Sequence, residues 1–250
     1  MKNPAAFKTF FGGKAGSGTY QTLINHIPPH KLYCSFFLGN DAVFRHIKPA
    51  EYCLLVDIDK QIIDAWKDVF IPDYKHALRN ADALDNLRNI EMTLNQFASF
   101  DFNLEDVFIF LDPPYLFSSR KSNRPVYKHE MGDKESHVAL LELITDRKFD
   151  GYNIMICSYP NSLYEMYLND WDHVDFYSRI RGGVALERIY TNYKISSLNE
   201  LHDYRYLGGN FREREKFKRI SVNLMKKLDR LDPVLKNSII ADIVSQLSNS

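Results

Sequence analysis

The stretch FIFLDPPYLFSSR, residues 108–120, decides how the rest of the chain is read. An apolar run of strand character stops on Asp112, Pro113, Pro114 and Tyr115. The two prolines fix their backbone angles and remove two N–H donors, which leaves the local carbonyls as acceptors facing outward. A carboxylate, also an acceptor, stands beside them, and an aromatic ring follows that can stack on something planar. Such a site suits a flat ring carrying an exocyclic amine, as in a nucleobase. A bare strand end closed by a proline turn gives the same string, so the flanking chain has to arbitrate.

Working outward, strands alternate with helices. KLYCSFFLGND predicts a buried strand running into a turn at Gly39, Asn40 and Asp41, and AVFRHIKP a short helix. EYCLLVDID predicts a second strand ending on acids, followed by the amphipathic helix KQIIDAWKDVF. Residues 71–89 read as polar, mixed and partly helical, and NIEMTLNQFASF as a third strand ahead of the proline-closed one. KESHVALLELITDRKF and NSLYEMYLNDW predict helices on either side of the strand YNIMICSYP, before a strand pair turning near Gly182 and Gly183. This order predicts an α/β fold with a mostly parallel sheet and helices on both faces. Ligands in such sheets sit at the carboxyl ends of the strands. The Gly39 turn, Asp57 and the Asp112–Tyr115 segment therefore fall on one rim.

Composition narrows the class. The chain has 250 residues, 45% of them hydrophobic, enough to bury a sizeable core. Its 32 basic and 32 acidic residues balance, so any case for nucleic acid rests on local clusters. Cys34, Cys53 and Cys157 are dispersed and read as small buried thiols in a reducing compartment. Neither they nor HEMGDKESH have metal-ligand spacing, and no metal is expected. The first residues lack the apolar core of a signal peptide, and no stretch approaches the roughly 18 apolar residues of a membrane span. A soluble, cytoplasmic protein is expected. Residues 1–200 read as a catalytic domain, with 71–89 and 116–134 as small recognition insertions, and 201–250 as a helical, basic extension.

The order FGGK, FFLGNDAVFRHIKP, VDID and LDPPY resembles the D12 class of DNA adenine-N6 methyltransferases, its phage and prophage members in particular. The likeness runs on through YKHEM, SYPNSLY and ERIYTNY, over roughly residues 7–220. It implies a Rossmann-like methyltransferase fold, S-adenosylmethionine as donor and adenine in double-stranded DNA as acceptor. It also implies roles. Phe11, Gly12, Gly13 and Lys14 fall in the N-terminal cofactor segment, and Phe37 and Gly39 in the glycine turn. Asp57 falls on the acid that binds the ribose hydroxyls, and Asp112, Pro113, Pro114 and Tyr115 on the catalytic motif. Lys14 could meet a carboxylate. The chain departs from the family's usual pattern twice, both times on the cofactor side. Ser35–Asp41 lacks two glycines and an acid of the usual turn, and Gln96-Phe97 stands where an aspartate and an apolar residue are usual.

DNA contact is expected from Arg120, Lys121, Arg124 and Lys128, which follow the catalytic tyrosine, and from the basic residues of the tail. Two other readings remain open on sequence: a methyltransferase acting on RNA or a protein amide, and a relative that binds DNA without turnover. A role in restriction–modification rests on family analogy alone.

Overall fold

The computed structural model describes residues 13–16, 18–69, 75–97, 103–120, 125–180 and 183–248. The chain divides into two compact units, Met1–Asp203 and Tyr204–Ser250.

Among the described residues, the first unit holds one seven-stranded sheet. Its strands in chain order are β1 (Leu32–Ser35), β2 (Tyr52–Asp57), β3 (His76–Asn80), β4 (Val107–Leu111), β5 (Asn153–Ser158), β6 (Asp172–Ile180) and β7 (Gly183–Thr191). They lie in the order 3-2-1-4-5-7-6. The first five are parallel, and β7 enters antiparallel between β5 and β6. Every residue of β1, β2 and β4 is buried, as a strand covered on both faces requires. Alternate residues supply the two layers. Leu32, Leu54, Ile109 and Ile154 join Leu87, Leu140, Leu141 and Tyr164 in one core cluster. The rings of Tyr33, Phe44, Phe108 and Trp66 meet in pairs outside it. The sheet is thus doubly wound and Rossmann-like.

The helices of this unit are α1 (Thr19–Ile24), α2 (Ala42–His46), α3 (Lys60–Lys67), α4 (Ala83–Arg88), α5 (Ile90–Leu94), α6 (Lys134–Ile144) and α7 (Ser162–Tyr167). Aspartates cap α2, α3, α4 and α6, each accepting a backbone N–H of the first turn. The second unit consists of α8 (Phe211–Leu228) and α9 (Pro233–Ser248), with Pro233 opening the second helix.

One sequence expectation is overturned. NIEMTLNQFASF is not the third strand: Ile90–Leu94 is helical and Asn95–Phe97 a single tight turn. The third strand is His76–Asn80, inside the segment read as polar and partly helical. It is half-buried beside β2 alone, at the sheet edge, so it lacks the apolar run that identified its neighbours. In 89–100, Ile90, Thr93, Leu94 and Phe97 recur at helical spacing and turn inward.

Candidate active site

The carboxyl rim of the parallel strands carries the site. Gly39 follows β1 with φ +45°, in the left-handed region that glycine favours. Its N–H donates to Asp57 Oδ2 over 2.9 Å, and its carbonyl accepts from the Trp66 indole over 2.8 Å. Asp57, at the end of β2, also accepts the Asp59 N–H at 2.8 Å. Burial pushes its carboxyl up, against these two hydrogen bonds. Asp41 is not part of the lining of the larger cavity described below, but it borders the smaller one. It caps α2 through Phe44 N–H and accepts the Tyr33 hydroxyl at 3.1 Å.

A cavity of about 450 Å³ opens over this rim. Phe36, Phe37, Gly39, Asp57, Asp82 and Asp112 are among its lining. Its far wall is the loop Val126–Met131. A second cavity, about 40 Å³, touches Gly13, Lys14 and Asn40. Phe37, Gly39, Asp112 and Tyr127 line both.

Asp112 leaves the end of β4 and is 18% exposed. Lys14 donates to it over 2.8 Å, so the lysine does meet a carboxylate. The same ammonium lies 3.5 Å from Glu187 and 4.9 Å from the Tyr115 ring centre. Tyr115 donates its hydroxyl to Glu187 Oε2 over 2.6 Å and meets Tyr159 edge-on. Burial pushes the Asp112 carboxyl up, opposed by Lys14. Burial also works against the charge on Lys14, but Asp112 and Glu187 hold it above the lysine range. Glu187 is buried too, yet Lys14, Ser178 and Tyr115 hold it below the usual carboxylate range.

His137 of α6 braces the segment from below. Pro114 carbonyl accepts from its Nε2 over 3.1 Å, and its Nδ1 takes the Tyr164 hydroxyl at 2.8 Å, the tautomer that satisfies both. That carbonyl therefore does not face outward as expected from the two prolines. Burial pushes the His137 pKa down to about 4 from 6.5. The unfolded chain then binds a proton that the folded chain refuses, so the stability given by the neutral ring is full above about pH 6.5 and is lost towards pH 4. Melting temperature measured across that window is expected to fall more steeply for the wild type than for His137→Asn, by up to about 3 kcal/mol of stability. Parallel curves would remove His137 as the titrating group.

Two sets of expected contacts are corrected. Gln96 is exposed and Phe97 is buried against Tyr52, and neither lines a cavity. The acid at the end of the true third strand is Asp82, followed by Ala83, and both line the larger cavity. Arg120 does not stand free for phosphate. Its guanidinium, 10% exposed, holds Glu130 through both nitrogens at 3.2 and 3.0 Å and packs on Phe117. Glu130 also accepts Val126 and Tyr127 N–H, so the pair fixes the loop. Lys128 pairs with Asp59 at 3.0 Å, on the cavity wall. Phe11, Gly12, Lys121, Arg124 and Gly182 lie outside the described residues.

Sequence reading missed Glu187, Asp82, His137 and Tyr127 as parts of the site. Glu187 had a signal: a lone acid in the strand GVALERIYT, beside a small-residue turn. Asp82 was masked by the misplaced third strand. The others carry no local mark.

The sheet order defines a Rossmann-like α/β domain, with a proline-closed strand end on its carboxyl rim. Residues 74–179 match the family model described as D12 class N6 adenine-specific DNA methyltransferase. Over these residues that match bears out the resemblance read from the sequence. It spans β3 to β6 and includes Asp112–Tyr115. No curated protein matches the sequence. Solved structures are similar to it at low identity. A putative RNA methyltransferase from Pyrococcus horikoshii is 12% identical, with 70% of this chain and 80% of that one covered and a TM-score of 0.41. A putative methyltransferase from Streptococcus mutans in complex with SAH is 13% identical, with 70% and 95% covered and a TM-score of 0.39. Among the described residues, no helix is long and apolar enough to cross a membrane.

Proposed function

We propose that the chain transfers a methyl group from S-adenosylmethionine to N6 of an adenine flipped out of double-stranded DNA. The observation that carries this is the Asp112 carboxylate on a rigid proline segment, forming a wall common to both rim cavities.

The larger cavity fits the donor. Asp57 keeps lone pairs for a ribose diol after accepting two N–H groups. Asp82 offers an acceptor to an adenine amine, and Phe36, Phe37 and Ile62 give apolar walls. Bound there, S-adenosylmethionine supplies a methyl group activated by its sulfonium. Gly13 and Lys14 border the smaller cavity instead.

The N6 lone pair of adenine is delocalised into the ring, which makes the nitrogen a poor nucleophile. Asp112 and the Pro113 carbonyl would each hold one N6 hydrogen and favour a pyramidal nitrogen with its lone pair exposed. Asp112 stabilises the positive charge that builds on N6, and is the nearest acceptor for the proton shed after the C–N bond forms. Tyr115 stacks on the base, held in place by Glu187 and Tyr159. The base must leave the helix, because its target atom is hidden in a duplex. With Arg120 and Lys128 engaged within the protein, phosphate contact falls to Lys121 and Arg124 of the same loop. In the second unit taken by itself, Arg212, Lys216, Lys218 and Arg219 of α8 are exposed and offer positive charge to phosphate.

The test is transfer of tritium-labelled methyl from S-adenosylmethionine to duplex DNA, RNA and protein in parallel. N6-methyladenine in DNA alone is expected. Label in RNA or protein but not in DNA would overturn the substrate, and label in none would overturn the activity. A narrower expectation concerns the donor. Asp82→Ala should weaken S-adenosylmethionine binding about tenfold, as loss of one hydrogen bond of about 1.5 kcal/mol does, and Gln96→Ala should leave it unchanged. Calorimetric titration of both variants decides between the two positions, and the reverse order would restore Gln96.

A further inference from the structure

Three charged side chains meet beside the smaller cavity, and two of them are carboxylates. The Lys14 ammonium lies 2.8 Å from Asp112 and 3.5 Å from Glu187, and 4.9 Å from the Tyr115 ring centre. The lysine therefore holds the two groups an entering base needs, the carboxylate and the ring. A buried ammonium cannot simply be left behind, since stripping a charge of its partner in a protein interior is costly. It needs a second carboxylate within reach. Asp41 borders the smaller cavity but does not qualify, since among the described residues only Asp112 and Glu187 stand within ion-pair distance of Lys14. Glu187 does. It is 5% exposed on β7, and its other bonds come from the hydroxyls of Tyr115 and Ser178.

We propose that Glu187 is a positioning residue for the transfer: it takes the Lys14 ammonium over from Asp112 as the acceptor base enters, and so frees the Asp112 carboxylate for the amine. The proposal rests on the reading of Asp112–Tyr115 as the base-binding segment. Its logic is one of charge. Within this group of described residues, one ammonium and two carboxylates leave one negative charge. With Lys14 on Asp112 that charge sits on Glu187, away from the chemistry. With Lys14 on Glu187 it sits on Asp112, where positive charge develops on the nitrogen. Tyr115 keeps its place throughout, because its hydroxyl stays on Glu187.

Glu187→Gln keeps the shape and can still bond a hydroxyl, but cannot take up the ammonium. Its kcat/KM for DNA is expected to fall on the order of 10²-fold, as for loss of one electrostatic group. Glu187→Asp, which keeps the charge, should retain most of the activity. Affinity for S-adenosylmethionine, read by calorimetry, should stay within about twofold of wild type in both. The deciding variant is Lys14→Met combined with Glu187→Gln. With no ammonium to relocate, the second change should cost nothing beyond Lys14→Met alone. Losses that multiply would overturn the proposal, and so would a folded Glu187→Asp as inactive as Glu187→Gln. A wild-type protein that binds S-adenosylmethionine but methylates no DNA would instead overturn the underlying reading, and this proposal with it.

Discussion

Asp112→Ala is expected to lower methyl transfer by at least about 10³-fold while the protein stays folded and still binds S-adenosylmethionine. Removal of a single group that stabilises developing charge costs this much in other enzymes. Here the same side chain also holds the amine in place, which adds to the loss. The fold should survive for a specific reason. Lys14, the partner that loses its carboxylate, keeps Glu187 within 3.5 Å, so no buried charge is orphaned. Single-turnover transfer and thermal melting, measured on the same preparation, check both halves. Turnover within tenfold of wild type would remove Asp112 from the chemistry.

Asp57→Ala is expected to have the largest effect on the donor. Hydrogen bonds from a ribose diol to a carboxylate contribute about 1.5–3 kcal/mol each, so losing both should weaken S-adenosylmethionine binding by at least about 10²-fold. A second loss is structural. The N–H groups of Gly39 and Asp59 lose their acceptor, and the turn that shapes the cleft loses its anchor. Asp57→Asn separates the two effects, because it retains one acceptor oxygen with the same shape. Calorimetric titration and melting of both variants are the measurements, with Asn expected to lie between Ala and wild type on each. Undiminished binding in Asp57→Ala would place the ribose elsewhere.

Much of this was legible in the sequence because burial leaves a mark. The strands β1, β2, β4 and β5 are near-continuous apolar runs, as strands covered on both faces must be, and each was readable as a strand. The proline-closed end of β4 was legible because its chemistry is local. What failed was the edge. HALRN, half-buried at the sheet edge, reads as a polar segment, while the helical Ile90–Phe97 is apolar enough to pass for a strand. The error moved the expected acid position from Asp82, which lines the larger cavity, to Gln96, which does not. Ion pairs across the chain were also beyond reach. Lys14 and Asp112 stand 98 residues apart, and Arg120 looks in sequence like any solvated arginine although Glu130 holds it. Such partnerships follow from tertiary packing, not from spacing.

The Gly39 turn, fixed at its amide by Asp57 and at its carbonyl by Trp66, has a consequence for how the departures from the family's glycine pattern are tolerated. A loop of consecutive glycines is cheap to approach but expensive to order, and its ligand must bear that entropy on binding. In this chain the protein orders the turn in advance, through a carboxylate on one strand and an indole on the next helix. The side chains of Asn40 and Asp41 then cost less than their size suggests, since a preorganised cleft needs fewer glycines than a cleft that must be shaped by its ligand.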